Sequence, residues 1–150
     1  MPTNRAVLLV EDSDADCEAT TRVLARCPAP PAVYRCADGD EALAFLRRRA
    51  WEADPERSDP PGVVLLDLNL PGTDGRDVLE QIKADEALRH IPVVVLTTSA
   101  DRSDVTFCYR AGASGYMTKP VDLEKFAQAV REFHAYWFGA VVLPDGPGGG

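Results

Sequence analysis

Nothing in this 150-residue chain is apolar for the ~18 residues that a bilayer-spanning helix requires. Its start, MPTNRAVLLVEDSDAD, offers five apolar residues in a row before acids interrupt. That is too short for a signal peptide, so a cytoplasmic protein with no membrane partner is expected. Positive charge is scarce too: 16 Lys and Arg face 24 Asp and Glu, for a net charge of −8. Phosphate backbones need a basic surface, which excludes nucleic acid as the main ligand. The one basic cluster, LRRRAW at 46–51, falls near a helix end, where cations favour the dipole and solvate a surface. The four cysteines, Cys17, Cys27, Cys36 and Cys108, have no C-x-x-C spacing and no histidine pair nearby. A zinc site is excluded on that ground, and reduced core thiols are expected. His90 and His134 are expected at the surface. There is no G-x-x-x-x-G-K-[ST] loop for nucleotide phosphates. GASG at 112–115 lacks the G-x-S-x-G pattern and reads as a helix end capped by Gly112.

What is present is a globular composition, 45% apolar, with a length that suits one domain and a sizeable core. Strand and helix signals alternate five times. RAVLLV (5–10), AVYRC (32–36), GVVLLD (62–67), IPVVVLTT (91–98) and SGYMT (114–118) read as strands. Helices are expected over about 14–26, 39–49, 74–85, 103–111 and 122–138, the last with Asp122 as its N-cap. The first, third and fourth strands are apolar throughout rather than alternating, which marks a parallel sheet covered on both faces. Residues 51–62, WEADPERSDPPG, read as a surface loop. One domain is expected over 1–140, and 141–150 reads as a short, partly disordered glycine-rich tail.

In an open parallel sheet, ligands bind beyond the carboxyl ends of the strands. There the sequence places Glu11 and Asp12 after the first strand and Asp67 at the end of the third. Thr97 closes the fourth, and Lys119 lies just past the fifth. A single acid at a strand end could be a turn former. Three together raise one another's pKa, a cost that a hard divalent cation removes. Carboxylates with one backbone carbonyl suit Mg²⁺. A metal, a cation and a hydroxyl around a carboxylate make a phosphoryl-transfer site with Asp67 as nucleophile.

In the same order, VEDSDAD, LLDLNLPGTDG, VVLTTSA and AGASGYMTKPVD resemble the signature segments of response-regulator receiver domains of two-component signalling. The likeness covers about residues 5–138. DLNLPGTDGRDVL, IPVVVLTTS and the aromatic-rich AYWFGAVVLP are most similar to the small stand-alone regulators paired with phytochrome histidine kinases. The resemblance implies a flavodoxin-like, doubly wound (βα)5 α/β fold. This is a three-layer sandwich around a five-stranded parallel sheet of order 2-1-3-4-5. It implies Asp67 as phosphoacceptor, Asp12 as a direct Mg²⁺ ligand, Glu11 acting through water and Asn69 giving its backbone carbonyl. Thr97 would hydrogen-bond one phosphoryl oxygen and Lys119 pair with another, its approach set by a cis peptide before Pro120. Tyr116 matches the family's aromatic switch position. Position 98 is usually small in the family; Thr98 would narrow access to the phosphoryl group. Asn69 and Ser99 occupy positions that tune dephosphorylation.

The function so implied is acceptance of a phosphoryl group from a sensor histidine kinase on Asp67. The change would be read on the face of the fourth helix, fifth strand and fifth helix. Such a chain is no enzyme beyond its own phosphoryl transfer and dephosphorylation. Its output is contact with an unknown downstream protein, onward phosphorelay, or service as a phosphate sink. A homodimer through that face is expected from Phe107, Tyr136, Trp137 and Phe138. Leu123, Phe126, Ala127, Val130, Phe133 and Trp137 trace the core stripe of the last helix. Tyr136 and Phe138 fall partly off it, and Phe107 points away from Val105, Cys108 and Tyr109 and reads as exposed. The competing reading is a Mg²⁺-dependent hydrolase with an aspartyl nucleophile. It needs a second acid two residues after the nucleophile, where this chain has Asn69, and a cap domain for which no residues remain.

Overall fold

The three strands that are apolar on both faces occupy the interior of the sheet, where both faces are covered. The computed structural model describes residues 6–53, 55 and 59–144. Its strands are β1 (Ala6–Val10), β2 (Val33–Cys36), β3 (Pro61–Leu66), β4 (Val93–Thr97) and β5 (Gly115–Thr118). They alternate with helices α1 (Asp14–Ala25), α2 (Gly39–Arg47), α3 (Gly75–Ala84), α4 (Arg102–Ala111) and α5 (Leu123–Ala135). All strand pairs are parallel, in the order β2-β1-β3-β4-β5. Every residue of β1, β3 and β4 is buried, while the edge strands β2 and β5 are partly exposed.

Successive strand side chains point to opposite faces, and each face receives its own helices. Val7, Leu9, Val63, Leu65, Val94 and Leu96 pack with Leu24 of α1 and with Phe126, Val130 and Phe133 of α5. Leu8, Val10, Val64, Leu66, Val93 and Val95 pack against α2, α3 and α4 through Leu43, Leu46, Val78, Leu79, Ile82 and Cys108. Four helices begin at a side-chain cap: Ser13, Asp38, Asp74 and Asp122 each accept a first-turn N–H. The helix starts thus lie on the edge where the strands end, and their positive dipole ends face it.

Several expectations are corrected by the packing. The last helix is α-helical only to Ala135; Tyr136–Ala140 widen into a π-helical turn closed by Val141 N–H on the Tyr136 carbonyl. The helix packs on two neighbours, the sheet and α1, so its buried arc is wider than one stripe. His134 is therefore buried rather than at the surface and stacks on Phe138 at 5.6 Å. Trp137 and Phe138 pack against the same core. Leu123 instead lies 79% exposed, because the helix begins beyond the strand ends and its first turn has no sheet beneath it. On α4, Phe107 is half-buried in the seam with α3, and Tyr109 is the exposed aromatic at 51%. Trp51, expected in a surface loop, is buried with Phe45 and Tyr34, and the Arg49 guanidinium lies 5.2 Å from its ring centre. Residues 54 and 56–58 of that loop and 145–150 of the tail lie outside the described residues. Of the cysteines, Cys36 and Cys108 are buried free thiols, whereas Cys17 and Cys27 are half-buried. No cis peptide occurs among the described residues, so the Lys119–Pro120 bond is trans, the form an X–Pro bond favours intrinsically.

One glycine locks a helix to the edge described below. A Cβ on Gly75 would lie 2.3 Å from the Asp67 carbonyl oxygen and 2.5 Å from Leu68 Cα. Both are backbone atoms, and the Gly75 N–H also donates to the Leu68 carbonyl at 2.9 Å. Gly75→Ala is expected to lower stability by about 2–3 kcal/mol, because no flexible side chain can yield. Urea unfolding of both proteins measures the difference.

Candidate functional site

Because all five strands run the same way, residues that close or follow them gather along one edge of the sheet. Glu11 and Asp12 come directly after β1, Asp67 directly after β3, Thr97 ends β4 and Lys119 comes directly after β5. The Asp67 N–H donates to the Val10 carbonyl at 3.0 Å and the Lys119 N–H to the Thr97 carbonyl at 2.7 Å, so sheet-like bonding extends into the site. One carboxylate oxygen each from Glu11, Asp12 and Asp67 lies within 4.8 Å of the others. Glu11 and Asp67 are buried, and Asp12 is exposed.

Lys119 is the balancing charge. Its ammonium, on a side chain only 6% exposed, lies 2.7 Å from Glu11 Oε1, 2.9 Å from Asp16 Oδ2 and 3.0 Å from Asp67 Oδ2. Burial works against this charge, but the hydrogen bonds to Glu11, Asp16 and Asp67 outweigh it and push the group above the ordinary lysine range. Burial drives the Glu11 carboxyl the other way, up to about 7, against the pull of Lys119 and with the push of Asp67.

The donor set suits a hard divalent cation, since it is all oxygen and its charges repel one another. Both Glu11 oxygens are already engaged, one by Lys119 and the other by the Ser13 N–H at 3.1 Å. Asp67 Oδ1 accepts the Asn69 N–H at 3.2 Å, and Asp12 faces solvent. Asp12 is thus the carboxylate best placed to meet a cation directly, with Glu11 better suited to act through water. Thr97 is fully buried, and its Oγ1 has no hydrogen-bond partner among the described residues. A hydroxyl so placed costs about 1–3 kcal/mol unless some acceptor reaches it, and phosphoryl oxygens are acceptors. Thr98 beside it is exposed.

Tyr116 is half-buried, and its hydroxyl donates to the Ser99 carbonyl at 2.8 Å. The loop it touches, between β4 and α4, is anchored a second time. Ser99 Oγ lies 2.6 Å from Asp104 Oδ2, and Asp104 accepts Arg76 Nε at 2.9 Å. Arg76 also pairs with Asp74, the cap of α3, at 3.0 Å. The Ser99 hydroxyl and the Arg76 guanidinium hold the Asp104 carboxyl below its ordinary range. A run of polar contacts therefore joins the start of α3, against the Asp67 loop, to the loop that follows Thr97.

The structure thus brings Glu11, Asp12, Asp67, Thr97 and Lys119 to one edge, with Asn69 bonded to Asp67 and Tyr116 one loop away. Phe107, Tyr136, Trp137 and Phe138 belong to other surfaces. Two participants escaped the sequence reading, Asp16 and the Arg76–Asp104 pair. The one available signal for Asp16 was the fourth acid of EDSDAD, in a helix's first turn, where acids are favoured anyway.

Comparison with known proteins agrees with this geometry. Residues 7–131 match the model of the response regulator receiver domain family. The response regulator Rcp1 of Synechocystis sp. is 39% identical over 140 residues, 93% of this chain and 93% of its own length. The probable methanogenesis regulatory protein FilR2 of Methanothrix harundinacea is 39% identical over 133 residues, 89% of this chain and 83% of its own. Among solved structures, the phosphorylated cyanobacterial phytochrome response regulator RcpA has a TM-score of 0.86 at 38% identity, covering 95% of this chain and 100% of that one. The Mn²⁺-bound form of Rcp1 has a TM-score of 0.84 at 38% identity, covering 94% and 99%.

The raised Glu11 carboxyl has a measurable consequence in chelator-treated protein. Between the ordinary carboxylate value and about 7, the folded chain keeps a proton that the unfolded chain releases. Folded stability from this group is therefore present at low pH and lost as pH rises toward 7. The slope is up to about 1.4 kcal/mol per pH unit. Urea unfolding across pH 5–7.5 should show this slope in the wild type and a shallower one in Glu11→Gln.

Proposed function

This chain belongs to the response regulator receiver domain family, and from that premise we propose that it is a phosphoryl-accepting switch. The donor is a sensor histidine kinase, of phytochrome type by analogy with the phytochrome response regulator RcpA. The observation that carries the reading is the buried Lys119 ammonium, 3.0 Å from Asp67 Oδ2 at the carboxyl ends of the strands.

An Asp67 oxygen attacks the phosphorus of the kinase phosphohistidine. The P–N bond breaks, and its electron pair leaves with the imidazole, which takes up a proton. Lys119 offsets charge on one phosphoryl oxygen, and the Thr97 hydroxyl, unpartnered among the described residues, donates to another. Asp12, Asp67 and the Asn69 carbonyl would hold Mg²⁺, with Glu11 acting through water, and the bound ion would supply the remaining positive charge. Water later attacks the phosphorus, breaks its bond to the Asp67 oxygen and resets the carboxylate. Movement of Thr97 toward the phosphoryl group pulls on the loop whose Ser99 carbonyl holds Tyr116, so the change reaches the α4–β5–α5 face. The exposed Tyr136, at 54%, and Tyr109 offer contacts for a second copy of the chain or a downstream protein.

Intact-protein mass after incubation with acetyl phosphate and Mg²⁺ tests the reaction. One phosphoryl group is expected on the wild type and none on Asp67→Asn, with the gain abolished by chelator. Labelling of both proteins would place the acceptor elsewhere. Sedimentation velocity tests the pairing: a concentration-dependent dimer is expected, weakened in the Tyr136→Ala variant. A monomer at every concentration, with and without beryllofluoride, would overturn it.

A further inference from the structure

The Lys119 ammonium has three protons, and three carboxylates take them. Nothing is left for a phosphoryl oxygen. If Lys119 is to meet one, as the proposed phosphorylation of Asp67 requires, it must release a present partner. The three partners differ in what release costs. Asp67 is the acceptor itself. Glu11 is buried, and its second oxygen is held by the Ser13 N–H, so it cannot turn away to water. Asp16 lies in the first turn of α1 with 37% of its side chain exposed, and one rotamer change returns it to water.

Resting on that reading of Asp67, we infer that Asp16 is a positioning residue that occupies the third proton of Lys119 in the resting state and yields it to the incoming phosphoryl group. Two consequences follow from charge. Asp16 competes with the phosphoryl oxygens for Lys119, and it adds a negative charge beside a site that an anionic donor must enter. Both act in one direction, restraining phosphoryl loading. A merely structural Asp16, present to complement the helix dipole and to tie α1 to β5, gives the opposite sign, because its loss would loosen Lys119 and slow loading.

The test uses the full chain and two substitutions. Asp16→Asn keeps the backbone N–H that caps onto Ser13 and removes the charge; Asp16→Glu keeps the charge. The rate of Asp67 labelling by acetyl phosphate at saturating Mg²⁺, and the affinity for beryllofluoride, are measured with Mg²⁺ affinity as a separate readout. Asp16→Asn should load about three- to tenfold faster, the effect of one charge removed in a partly hydrated site. Its beryllofluoride affinity should rise in step, and Asp16→Glu should return both toward wild type. Loading that is unchanged or slower in Asp16→Asn, in protein whose circular dichroism is that of the wild type, overturns the inference. Wild-type protein that takes no label, or label that survives Asp67→Asn, overturns the underlying reading and this inference with it.

Discussion

A lysine ammonium enclosed by carboxylates that could not be buried without it is the interaction on which this molecule's site is built. An isolated buried ammonium, or buried Glu11 and Asp67 side by side, would each be expelled or neutralised. Together they are tolerated, and the balance is incomplete: Glu11, Asp12, Asp16 and Asp67 are four acids, and Lys119 pairs with three of them. The surplus negative charge gives a divalent cation a reason to bind.

That contact also organises the chain. Its members stand at positions 11, 16, 67 and 119, on the ends of β1 and β3, the first turn of α1 and the exit of β5. Apart from 11 and 16, these positions are far apart in sequence, and only the parallel sheet sets their segments side by side. The apolar strands do this without any polar requirement of their own: β1, β3 and β4 are buried at every residue, so their register is held by packing on both faces. The polar edge is carried by a rigid apolar body, and small shifts at the edge are transmitted rather than absorbed.

A chain of contacts joins the Asp67 loop to β5. Gly75 presses α3 against the Asp67 carbonyl, and Arg76, one residue on, ties Asp74 to Asp104, which holds Ser99. Ser99 in turn holds Tyr116. The loop after Thr97 is thus clamped from both α3 and β5, and any displacement of Thr97 must exchange these bonds for others. Discrete hydrogen bonds that are made or broken suit a two-state element better than a continuously yielding loop.

Much of this could be read directly from residues. Runs such as VLLV and VVLL end abruptly in acids, so the strands and the polar groups at their ends announced themselves through chemistry that changes sharply at one position. The family resemblance implied the strand order, which the sheet bears out, and the roles proposed for Asp67, Thr97 and Lys119. Helix faces were less legible. A 3.6-residue period predicts one buried stripe, but α5 packs on both the sheet and α1 and begins beyond the strand ends. Hence His134 is buried and Leu123 exposed, the reverse of what the pattern implied. Asp16 was invisible for a related reason: an acid in a helix's first turn satisfies the dipole locally, and only the rotation of α1 against the sheet brings it 2.9 Å from a lysine 103 residues away. By itself, then, the sequence determined which residues are apolar, where they stop and what chemistry stands at each stop. Only the tertiary structure decided which of those charges share one proton donor, because that depends on how helices rotate and overhang, and no local pattern encodes it.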